Sequence, residues 1–103
     1  MHGHLVCRNC RELIFLGKWL RTEDNRGFGF WHGTLCPGEV ADSLALGRKA
    51  LRFIAAHMDH ELIAISRTAL LDSLLDDGYR DVDDEYDAIA VQERHPIRDE
   101  PKP

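Results

Sequence analysis

The chain has 103 residues, 44% of them apolar, enough to bury one modest core and too few for a second domain. No apolar run approaches the roughly 18 residues of a membrane span, and the opening MHGHLVCRNC has neither the charged head nor the apolar stretch of a secretory signal, so a soluble, cytoplasmic protein with no membrane partner is expected. The net charge of −5 is unevenly spread: residues 1–71 carry nine Lys/Arg against seven Asp/Glu, whereas residues 72–87 carry Arg80 against eight acids.

In chain order, HLVC and ELIFLG flank the polar turn RNCR and predict a small β-hairpin closed by Cys7 and Cys10. TEDNRG reads as a turn and FGFW as a further short strand. The period then changes. Val40, Leu44, Gly47, Leu51 and Ile54 recur at steps of four and three, which predicts an amphipathic helix from about Pro37 to His57 with that stripe as its apolar side. Pro37 suits the first turn, and Gly47 falls where a larger side chain would block close packing. ELIAIS reads as a buried strand, Ser66 as the cap of a second helix through RTALLDSLLDD, and Gly78 as its stop. Most apolar periodicity ends by Leu75, so residues 79–103 are expected to lie outside the core. The proline-rich stretch 92–103 is expected to be an irregular or disordered tail after a single domain of residues 1–91. The fold class is α+β: a zinc-knuckle hairpin packed on a long central helix, with a further strand and a second helix.

The chemistry is concentrated in two pairs, Cys7-x-x-Cys10 and His57-x-x-His60. Zinc takes four ligands in a tetrahedron and prefers thiolate and imidazole, so the two pairs suffice for one structural Zn2+. An odd count of three cysteines in a reducing compartment also favours metal over disulfide. His57 continues the apolar side of the helix three places after Ile54, which turns its ring toward the core. Cys36 and His32 stand as alternative ligands. HMDHE places its Glu wrongly for a zinc protease, and a closed four-ligand set leaves no position for a substrate water. A non-enzymatic module with no catalytic residue is expected; His57, Glu61 and Cys7 are the residues to examine for any activity.

RGFGFW, residues 26–31, follows the basic-Gly-aromatic-small-aromatic order of an RNA-recognition strand, whose rings stack on splayed bases. With GKWL upstream, the segment Gly17 to Trp31 resembles the first hairpin of a cold-shock domain. That resemblance covers 15 residues and implies an all-β barrel binding single-stranded nucleic acid through Arg26, Phe28, Phe30 and Trp31. The chain departs from the family in a longer gap between Trp19 and Arg26, and in a helix where the family has its second aromatic strand.

Asp81, Asp83 and Glu85 alternate as in a calcium loop but lack its central Gly and its terminal Glu. A solvated helix face accounts for the acidic segment 72–87. It also fits docking to a basic surface of a protein partner, because seven net negative charges steer cations and repel nucleic acid. The sequence therefore points first to a small zinc module acting through protein–protein interaction or regulation, and second to single-stranded RNA or DNA binding.

Overall fold

The computed structural model describes residues 1–36 and 44–92. Its chain order is β1 (His2–Cys7), β2 (Glu12–Arg21), β3 (Gly27–Trp31), α1 (Leu44–Ala56), β4 (Leu62–Ile65), α2 (Thr68–Asp76), β5 (Arg80–Asp81) and α3 (Asp83–Gln92). The fold is α+β: a sheet in the order β3-β2-β1-β4, with the three helices around it. These four strands pair antiparallel, and β5 adds in parallel beside Glu12 and Leu13 of β2. The long β2 is the spine. Its first residues meet β1 and β5, and its last, Lys18 to Arg21, meet β3.

Gly17 marks the change of partner along β2. Its φ of +99° belongs to the left-handed region, and a Cβ there would run into the carbonyl of Trp31. The register shifts nearby, between Gly3 and His4 of β1, as a bulge does.

One sheet face carries Cys7, Ile14 and Leu16 against Ala45, Leu46 and Phe53 of α1, with Val82 ahead of α3 completing the core. The expected phase of α1 is therefore corrected. Leu44, Gly47 and Leu51 face outward, and the buried side is Ala45, Leu46, Lys49 and Phe53. That side was obscured because it holds a lysine in place of an apolar residue. The helix has 13 residues. Pro37, Val40 and the stretch from residue 93 onward lie outside the described residues.

Two further expectations are corrected. Arg67, not Ser66, stands at the N-cap of α2, with no side-chain capping bond. The core also does not end by Leu75: Val82 is buried, Tyr86 packs against it edge-on to Phe53, and Val82 N–H donates to the Leu13 carbonyl. Gly78 does stop α2. At φ +92° it closes the helix with Gly78 N–H on the Leu75 carbonyl and Tyr79 N–H on that of Leu74, the paired bonds of a Schellman ending. Among the described residues, no helix is long and apolar enough to cross a membrane.

Candidate metal centre

Cys7 ends β1, and the chain turns through residues 8–11 into β2. Arg11 N–H donates to the Cys7 carbonyl at 3.0 Å, with Arg11 at φ +59°, while Cys10 N–H points at Cys7 Sγ from 3.4 Å. An amide aimed at a sulfur stabilises thiolate character, and the tight turn brings both sulfurs to one side. Cys7 is buried and Cys10 is exposed.

The imidazoles arrive from the end of α1. His57 N–H bonds to the Ile54 carbonyl and His60 N–H to that of His57, so the chain leaves the helix in tight turns, with Asp59 at φ +69°. The strand that follows is clipped to the cysteine turn. Arg8 N–H donates to the Glu61 carbonyl at 2.9 Å and Glu61 N–H to Asn9 Oδ1 at 2.7 Å, one residue beyond His60.

The result is a convergence of residues about fifty positions apart. Ligand atoms of Cys7, Cys10 and His57 all lie within 4.8 Å of one another, close enough to hold a metal ion. His60 Nδ1 lies 3.3 Å from Cys7 Sγ and 3.6 Å from Cys10 Sγ. His57 Nδ1 donates to the Phe53 carbonyl at 2.6 Å, which orients the ring. Nε2 stands 3.2 Å from Glu12 Oε1, and the other carboxylate oxygen of Glu12 is held by Arg80. Desolvation pushes the Cys10 thiol above its ordinary value; the hydrogen bond and charge of Cys7 add to this, and Glu12 contributes last. The cluster is thus rich in groups that gain from a nearby cation.

A second polar cluster lies on the same helix. Lys49, with no exposed surface, sets its ammonium 2.6 Å from the Phe15 carbonyl, 2.8 Å from Asp83 Oδ1 and 2.7 Å from Asp87 Oδ1. Asp83 also accepts from Phe15 N–H at 2.6 Å, so the carboxylate ties α3 to β2. Ligand atoms of His32, Asp83 and Asp87 lie within 4.8 Å of one another, but the ammonium meets both carboxylates and already supplies the positive charge there. Burial lowers the pKa of His32 and of His4 below 6.5, and the charge of Lys49 adds to both effects. Sequence reasoning missed this cluster. Its one signal is a lysine four places after Ala45 and four before Phe53, on the helix side that faces the sheet.

The residues of the RNA-recognition pattern are placed apart. Phe30 is half-buried, with Gly3 so close beneath its ring that a Cβ there would touch it at about 2.5 Å. Phe28, two places before it, is exposed. Trp31 falls on the other face, its indole N–H donating to the Cys36 carbonyl at 2.9 Å. Arg26 is exposed beside the turn. Trp19, opposite Phe30 across the strands, has the Arg21 guanidinium 5.1 Å over its ring. Cys36 is buried in the core, its N–H on the His32 carbonyl. Comparison with protein-family models, curated proteins and solved structures finds no match for this chain.

Proposed function

We propose that this chain is a small non-enzymatic module built around one structural zinc ion, held by Cys7, Cys10, His57 and His60. The observation that carries the reading is the approach of His60 Nδ1 to both sulfurs, at 3.3 and 3.6 Å, with His57 beside them. Sulfur and nitrogen ligands of a tetrahedral zinc stand about 3.6 Å apart, given Zn–S near 2.3 Å and Zn–N near 2.0–2.1 Å. The bond from His57 Nδ1–H to the Phe53 carbonyl adds support, because a metal-bound histidine usually donates its other ring proton in this way. Two thiolates and two neutral imidazoles cancel the charge of the ion and fill its coordination, leaving no place for a reacting water. The ion would stabilise the fold, and the surface would carry the function. Asp72, Asp76, Asp77, Asp84 and Glu85 are exposed, whereas Asp83 and Asp87 are engaged with Lys49, so a basic partner would meet α2 and the outer side of α3.

Mass spectrometry under non-denaturing conditions tests the metal. One zinc per chain is expected in the wild type, with Cys7→Ser and His57→Ala each lowering the content. A metal-free wild type that is stably folded overturns the reading. Single-stranded nucleic-acid binding is a second reading, favoured by the exposed Phe28 and by the Arg21 guanidinium over the Trp19 ring. It expects binding that weakens with salt and loses about 1–3 kcal/mol in Phe28→Ala. Absence of binding at low salt removes it.

A further inference from the structure

The sheet face opposite the one that meets α1 holds a pocket of its own. His4 and Phe15 pair across β1 and β2, next to the Leu5–Ile14 pair that joins the core, so alternation turns both rings to the other side. There a space of about 280 Å³ is lined by His2, His4, Phe15, Arg67, Thr68 and Leu71. The imidazoles of His4 and His2 lie 5.2 and 5.7 Å from the Phe15 ring, so one wall is aromatic, and Leu71 adds an aliphatic surface.

Two independent observations point to a ligand here. His4 is 9% exposed, and among the described residues neither of its ring nitrogens has a hydrogen-bond partner, although the side chain borders the pocket. A buried nitrogen without a partner carries a desolvation cost that a ligand can remove. The second observation is the start of α2, a nine-residue helix that opens at the pocket with Thr68. Its N-cap, Arg67, has an extended backbone and makes no side-chain capping bond, and no acid stands in the first turn. Leu71 N–H closes that turn on the Arg67 carbonyl, which leaves the amides of Thr68, Ala69 and Leu70 without an acceptor inside the helix. Those amides and the Arg67 guanidinium attract an anion and repel a cation. Asp81 and Asp83, whose charges reach His4, are already engaged: Asp83 Oδ1 accepts from Phe15 N–H and faces Lys49, and Asp81 Oδ1 accepts from Asp83 N–H.

We propose that this pocket binds a small aromatic phosphate monoester, its phosphate at the start of α2 with Arg67, Thr68 and His4 as donors, and its ring against Phe15 and Leu71. The volume lies at the lower end of ligand sites, which suits one ring and its anionic group. A guanidinium, a hydroxyl, an imidazole and the first-turn amides offer more donors than the two oxygens of a carboxylate use well, and match the three of a phosphate. A bare inorganic anion would leave the aromatic wall uncovered. None of the proposed zinc ligands takes part, so the site stands or falls apart from the metal.

Amide NMR of the purified protein titrated with phenyl phosphate tests the proposal. Saturable shifts are expected at residues 68–71 and at His4 and Phe15. Inorganic phosphate, which lacks the ring, and benzoate, which lacks the third oxygen, should each bind at least about fivefold more weakly. Arg67→Gln, at an exposed residue, should weaken phenyl phosphate binding about tenfold and leave the spectrum otherwise unchanged. His4→Phe keeps a ring, loses both nitrogens and should weaken it similarly. The absence of a saturable shift at millimolar phenyl phosphate overturns the proposal, as does binding that inorganic phosphate or benzoate matches or that survives Arg67→Gln.

Discussion

Two polar clusters fasten α1 to the sheet, and they differ in where their cation comes from. At the middle of the helix, Lys49 brings its own ammonium to Asp83, Asp87 and the Phe15 carbonyl. At its end, Cys7, Cys10 and His57 lie close enough together to hold a metal ion, with His60 Nδ1 near both sulfurs. The first cluster is satisfied by the polypeptide alone. On the proposed zinc reading the second is completed only with an ion, so the two ends of one helix should answer differently to the same solution.

The largest expected effect breaks the comparison on its metal side. A strong zinc chelator should abolish cooperative thermal unfolding, because the proposed ion would tie the β1–β2 turn to the end of α1 across some fifty residues, and zinc binding in so small a domain is folding free energy. Calorimetry with and without chelator decides it, and an unchanged transition would show that the Cys/His cluster holds without metal. Lys49→Ala is the matching break at the other cluster. It leaves two carboxylates facing each other with no cation, at a cost of about 3–5 kcal/mol read from urea unfolding. Zinc content per folded chain should stay the same. Parallel loss of zinc in this variant would mean that the clusters form one unit.

Cys36 sharpens the contrast further, since it is a ligand-type residue buried in the core, its N–H on the His32 carbonyl. Cys36→Ser puts a hydroxyl among Leu35, Leu46 and their neighbours and should cost about 1–3 kcal/mol, with zinc content unchanged. Metal lost from this variant alone would transfer a ligand to Cys36.

The two clusters were unequally legible in the sequence. Cysteine and histidine announce their chemistry by residue type, and the three-residue spacings within Cys7–Cys10 and His57–His60 survive any uncertainty about the elements between them. The strands of residues 2–31, the run Leu62–Ile65, though partly rather than fully buried, and the stop at Gly78 were readable for a similar reason: each is written in a few consecutive residues. Lys49 was hidden because a lysine on a helix is ordinarily a solvent-facing residue, and only the fold shows that Asp83 and Asp87 meet it. The acidic run 72–87 concealed the start of α3 in the same way, since its inward side consists of Val82, Tyr86 and two aspartates whose charge is matched elsewhere. The phase of α1 was misread because the sequence holds two stripes. The more apolar one, Leu44–Gly47–Leu51, is the one left outside.

The smallest expected effect concerns acid. His4, packed on Phe15 and beside Lys49, has its pKa lowered, first by desolvation and then by Lys49 and His2 against the pull of Asp81 and Asp83. A histidine whose folded pKa lies below its unfolded value of about 6.5 binds its proton more readily when unfolded, so stability is complete above that pH and falls as pH drops toward the folded pKa. His32, its pKa lowered chiefly by burial, acts in the same direction. The contribution of His4 can be isolated, because His4→Phe keeps a ring against Phe15 and removes the titration. Urea midpoints of the chelated protein, or of the zinc-loaded one if the chelated form has no transition, should fall less between pH 7.5 and pH 5.5 in this variant than in the wild type. Identical slopes in variant and wild type would place the acid sensitivity in the metal centre and in His32, leaving His4 as a packing residue only.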